Sequence, residues 1–218
     1  LKDANIDSAV DGAMLAKMRN IGEACTAANR FFVSKDVVVE FTQKLCKRMG
    51  ALKMGNGLDP KVDVGPLVNA DTRNKVISFV EDAIEKGAKL ELGGVAPKGV
   101  GFYYPPTVLS NVSANAACVH DEIFGPVAAI QTFEDEDDVI KLANDTEYGL
   151  VAYVFTKDVK RGLALSEKLD YGMIGLNRGL VSDPAAPFGG TKQSGLGREG
   201  GHDGMLEFME TQYISVDW

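Results

Sequence analysis

The stretch VAAIQTFEDEDDVIKLANDTEYGLVAYVFTKDVKRGLALSEKLDYGMIGL, Val127 to Leu176, decides the fold. Three apolar runs, Val127–Phe133, Leu150–Phe155 and Met173–Leu176, alternate with two amphipathic segments, 136–144 and 159–169. Strands separated by helices of this length predict an α/β fold, a largely parallel sheet flanked by helices. The unbroken run at 150–155 reads as a strand buried on both faces. The acidic run Glu134–Asp138 reads as a solvated helix start, where the helix dipole favours carboxylates, and not as a metal site. The same alternation extends upstream. Helices are predicted over 5–18 (capped by Asp3 or Asn5), 36–49 and 70–86, the last closed by Gly87. Strands are predicted at 31–33 and 89–92, with an extended segment at 103–108 and a loop at 55–60. Downstream, β-branched residues alternate in Gln212–Val216, which predicts a last strand with an exposed edge.

Composition excludes several classes. Hydrophobic content of 45% and charged content of 25% are ordinary for a folded domain with a sizeable core. No apolar run approaches the ~18 residues that a membrane span needs. The net charge of −8 comes with no Lys/Arg stripe, which argues against a nucleic-acid partner. Three dispersed cysteines form neither a zinc pattern nor a disulfide framework, so no metal is expected, and a reducing, cytoplasmic compartment fits. The chain opens on Leu1 and reads as a segment of a longer product.

Chemistry concentrates at Cys25, in Arg19-Asn-Ile-Gly-Glu-Ala-Cys25. A thiol after a glycine turn, with a cation six residues back, suits an activated nucleophile; a small buried hydrophobe is the alternative. Gly195-Leu-Gly-Arg-Glu-Gly200 spells the dinucleotide fingerprint, but too few residues follow to complete the βαβ unit that the fingerprint requires. It reads as a close-packed glycine loop. Glu122-Ile-Phe-Gly-Pro126 and Pro187-Phe-Gly-Gly190 read, each alone, as turns presenting an aromatic ring.

Taken in order, the Cys25 segment, Glu122–Pro126, and Pro187–Gly190 followed by Lys192–Gly200 resemble the aldehyde dehydrogenase superfamily. Leu58–Val68 and Ala143–Leu150 extend the likeness, which runs from about Asp3 to the C-terminus. Within the family, Gly179-Leu-Val-Ser182 and the long 192–200 run look most like the succinate-semialdehyde group. The resemblance implies oxidation of a small-molecule aldehyde to an acid with NAD or NADP. It implies Cys25 as nucleophile, with its own N–H helping to hold the oxyanion. Glu122 matches the family's ribose-binding glutamate, Phe124 an aromatic near the nicotinamide, and Phe188 a wall of the aldehyde pocket. Arg19 matches an arginine that pairs the substrate's carboxylate, and Ser182 a serine that assists. Residues 1–210 would form the catalytic domain and 211–218 an oligomerisation strand, in a homo-dimer or homo-tetramer.

Three departures from the family pattern stand out. Ala27 occupies the place of a second, redox-switching cysteine, and Glu23 replaces a common glutamine. The general base, a glutamate in Glu-Leu-Gly-Gly, is expected upstream of Leu1 together with the nucleotide-binding half. Glu91-Leu-Gly-Gly94 spells that base motif at the wrong place in the order and reads as a strand ending in a turn.

Overall fold

A computed structural model describes residues 1–218. The helices form where periodicity and caps agree. Helix α1 (Ile6–Met18) is capped by Asn5, whose side chain accepts the Ser8 N–H at 3.1 Å, and buries Ala9, Val10, Ala13 and Ala16 at helical spacing. Strand β1 (Arg30–Ser34) and α2 (Val38–Gly50) follow. Helix α3 (Ala70–Glu85) is capped by Asn69 and ends before Gly87, whose φ of +96° suits a residue without a Cβ. Next come β2 (Lys89–Leu92), β3 (Thr107–Ser110), the single-turn α4 (Ala117–His120) and β4 (Val127–Phe133). Helix α5 (Glu136–Asn144) starts in the acidic run, where Asp135 accepts the N–H groups of Asp137 and Asp138. The chain continues through β5 (Tyr148–Gly149), β6 (Val151–Val154), α6 (Val159–Ser166), β7 (Met173–Leu176), β8 (Thr191–Lys192) and a short α7 (Asp203–Leu206). No helix is long and apolar enough to cross a membrane.

The main sheet has the order β1-β4-β3-β2, parallel except for the antiparallel edge β2. Strand β4 lies inside this sheet and is buried on both faces. Val127 and Ala129 pack toward α3 with Val76, Val80 and Leu109, whereas Ala128 and Ile130 pack toward α1 and α2 with Val10, Phe41 and Leu45. Alternate residues of one strand thus feed two cores. Strands β6 and β7 form a separate parallel pair, and β5 and β8 a short antiparallel one. Strand β1 pairs only with β4, and β6 only with β7, and residues along both line one cavity of about 540 Å³.

Several expectations differ from the structure; α6, for one, ends at Ser166 and not at 169. Of β6 only Val154 is buried, and the other three residues are half-exposed, because the strand has a ladder partner on one side only. Residues 212–216 form no strand: the segment is exposed and has no partner within the chain. Alternating β-branched residues supply a pleat, but a ladder needs a second strand.

Candidate active site

The site begins where α1 ends. Arg19–Gly22 make one tight turn in which Asn20, Ile21 and Gly22 all have positive φ (49°, 52° and 84°). A β-branched residue such as Ile21 resists that conformation, which persists only where the surroundings hold it. Three contacts hold it here. The Asn20 side-chain amide donates to the Glu23 carbonyl at 2.7 Å, Ile21 is buried in the core beside α3, and Gly22 lies directly on the Gly125 carbonyl, where any Cβ would collide. The turn is thereby pressed against the loop Glu122–Pro126. A second turn follows, closed by the Ala27 N–H donating to the Ala24 carbonyl at 2.9 Å, and it leaves Cys25 exposed. The backbone N–H of Cys25 has no acceptor within the chain. Glu23 points elsewhere, its carboxylate accepting the Val68 N–H at 3.1 Å.

Buried Thr26 is gripped at two atoms. Arg19 Nη2 donates to its Oγ1 at 2.8 Å, and the Tyr153 hydroxyl of β6 donates to its carbonyl at 3.0 Å. Burial pushes the Tyr153 hydroxyl above its ordinary pKa, opposed by its hydrogen bond to Thr26 and by the Arg19 charge.

Glu122 is placed by Asn29, four residues after the thiol. The Asn29 amide donates to the carbonyls of Cys118 (3.0 Å) and Asp121 (3.1 Å), and its oxygen accepts the Ile123 N–H at 2.9 Å. Lys75 of α3 donates to the Glu122 carbonyl at 3.1 Å. The exposed Glu122 carboxylate has no hydrogen bond or ion pair within the chain. Phe124 is half-buried with φ +50°, a left-handed position held between Glu122 and the Gly125 contact with Gly22. Beneath this loop Lys17 is fully buried and makes no ion pair. Desolvation drives its pKa down to about 7, while Glu122 and Cys118 pull it upward.

The structure unites some of the residues singled out by sequence and separates others. Cys25 and Glu122 line the same cavity, and Arg19 is tied to the Cys25 turn through Thr26. Arg19, Phe124, Ser182 and Phe188 do not line that cavity. Ser182 is exposed on a loop that starts at Gly179, which lies directly on Gly12 of α1. Phe188 is half-buried and exchanges two backbone hydrogen bonds with Glu199 (2.7 and 2.8 Å). The cavity is wider than the chemistry. Its mostly apolar walls run along β1 and β6, so the candidate site is confined to the polar groups around Cys25 and Glu122 and is not the whole space.

Cys118 is buried and Cys46 is half-buried; burial raises both thiol pKa values, that of Cys118 to about 11. Glu91, in the misplaced Glu-Leu-Gly-Gly94, is structural: it accepts the Ser110 hydroxyl at 2.6 Å and pairs with Lys89 at 3.0 Å. Thr26, Asn29, Tyr153 and Lys17 carry no motif, and nothing in the spacing of the sequence singles them out.

The aldehyde dehydrogenase family pattern matches residues 1–214. The chain belongs to the aldehyde dehydrogenase family. It is 53% identical over 215 residues to the succinate-semialdehyde dehydrogenase of Paenarthrobacter nicotinovorans, covering 99% of this chain and 48% of that protein. It is 43% identical to the 3-sulfolactaldehyde dehydrogenase of Pseudomonas putida, covering 98% of this chain and 44% of the relative. The crystal structure of succinate-semialdehyde dehydrogenase from Burkholderia pseudomallei superimposes with a TM-score of 0.93 at 43% identity, covering 95% of this chain and 43% of that one. The chain thus spans about half the length of the curated aldehyde dehydrogenases it matches.

Proposed function

We propose that these residues form the catalytic half of an NAD(P)-dependent aldehyde dehydrogenase that oxidises succinate semialdehyde to succinate. The observation that carries this reading is the joint placement of an exposed Cys25, its unpaired N–H and a guanidinium one hydrogen bond from the Cys25 turn. The Cys25 thiolate attacks the aldehyde carbon; a C–S bond forms and the carbonyl π pair moves to oxygen. The Cys25 N–H donates to that oxygen, a charge present only after attack. The free arms of Arg19 pair the far carboxylate and hold the reacting carbon over sulfur; the roles of Ser182 and Phe188 rest on the family resemblance, since neither lines the cavity that Cys25 lines.

Glu122 suits a nucleotide sugar, since its carboxylate is exposed and unengaged and ribose hydroxyls are donors, and the Phe124 ring stands two residues away. Glu122 and Phe124 would hold the dinucleotide, which would supply the hydride acceptor. Release of the acid needs water and a general base, which the family resemblance places outside these residues. The 218-residue chain alone is therefore expected to be inactive. A thiolate nucleophile fits a reducing, cytoplasmic setting. Residues 211–218 are proposed to pair with a second copy of the parent enzyme, as a homo-dimer or homo-tetramer.

Relatives named for aldehydes ending in a carboxylate or a sulfonate favour an anionic terminus as the shared feature. In the full-length parent, Cys25→Ala should abolish turnover. Arg19→Leu should lower kcat/KM for succinate semialdehyde roughly a hundredfold while sparing butyraldehyde, which has the same length without the carboxylate. Equal losses on both aldehydes would refute the anionic pocket, and turnover by Cys25→Ala would refute the nucleophile.

A further inference from the structure

Arg19 is exposed on a strained turn, and an unrestrained guanidinium there would sample many rotamers. Thr26 limits that freedom. Its hydroxyl is buried and accepts Nη2 of Arg19 at 2.8 Å, while its own backbone is pinned by the Tyr153 hydroxyl at 3.0 Å. Because Thr26 directly follows the nucleophile, one residue sets both the sulfur's turn and the direction of the fork. We propose that Thr26 is a specificity-determining positioning residue: it orients the Arg19 guanidinium toward the anionic end of the aldehyde at a fixed distance from Cys25. This rests on the anionic-substrate reading above and extends it to a residue that does not itself bind substrate.

The physical argument is one of preorganisation. A guanidinium has five N–H donors in a rigid plane, and fixing Nη2 leaves the remaining donors in a defined direction. Part of the ordering entropy is then lost on folding and not on binding. The hydroxyl is what matters, because the Thr26 methyl contributes packing alone. A neutral aldehyde makes no use of the fork and should not sense its loss.

The test uses the full-length parent with succinate semialdehyde and butyraldehyde as paired substrates. Thr26→Val keeps the shape and removes the acceptor. It should raise KM for succinate semialdehyde roughly tenfold, leave its kcat within about twofold, and leave both constants for butyraldehyde within about twofold. Thr26→Ser restores the acceptor and should recover most of the loss, which keeps the test decisive if the valine variant folds poorly. In an Arg19→Leu background, Thr26→Val should have no further effect on succinate semialdehyde. Equal losses on both substrates, failure of serine to rescue, or additivity with Arg19→Leu would overturn the positioning role. If Arg19→Leu itself shows no substrate preference, the anionic-substrate reading fails first, so the two failures are distinguishable.

Discussion

Lys17 is the residue whose placement costs the fold most plainly. Its side chain is almost wholly buried beneath the Glu122 loop, with no ion pair to offset the desolvation. Its pKa falls from 10.5 unfolded to about 7 folded. Below pH 7 both states hold the proton and the folded state bears the whole penalty. Between about pH 7 and 10.5 only the unfolded state stays protonated, so this residue makes stability rise with pH. Lys17→Met, similar in length and uncharged, should stabilise the full-length protein by about 1–3 kcal/mol at pH 6.5, and by less at pH 9. Urea unfolding at the two pH values checks this; a destabilised variant, or a gain independent of pH, would show that the charge is paired. Nothing in the sequence marks the residue, since a lysine at the end of an amphipathic helix normally faces solvent.

At the scale of elements, the site is a junction between the start of β1 and the loop before β4, and Asn29 holds the two together. Its three hydrogen bonds reach Cys118, Asp121 and Ile123, on both sides of Glu122. Asn29→Ala leaves those partly buried backbone groups unpaired, at roughly 1–3 kcal/mol of stability. In the full-length enzyme it should weaken dinucleotide affinity about tenfold in a fluorescence titration, with a smaller change in KM for the aldehyde. Unaltered dinucleotide affinity would detach Glu122 from the cofactor. The helices and strands themselves were legible from sequence: α1, α3, α5 and β4 lie within a residue of their predicted bounds, because apolar periodicity and caps act locally. The junction was not legible. Contact between Gly22 and Gly125, and between Asn29 and Ile123, spans about a hundred positions and leaves no local period, so only the resemblance to a family placed Glu122 near Cys25.

For the molecule as a whole, the segment after α7 poses the remaining question. Phe208, Tyr213 and Trp218 are almost wholly in water, Ile214 is largely exposed, and residues 212–216 have strand character without a ladder. Exposed apolar residues in a chain able to pair as a strand favour association with another edge. Two kinds of edge could receive them: one on a second copy, or one elsewhere on the same polypeptide. The outcomes differ in solution. If the segment crosses to a partner, full-length enzyme lacking residues 211–218 should show roughly half the native mass by light scattering after size exclusion. If it folds back onto its own polypeptide, the mass stays the same and the midpoint of thermal unfolding falls. The first outcome is expected, because an isologous contact would let one apolar segment serve two subunits at once and cover both exposed faces. An unchanged mass would assign 211–218 to the fold of the single subunit.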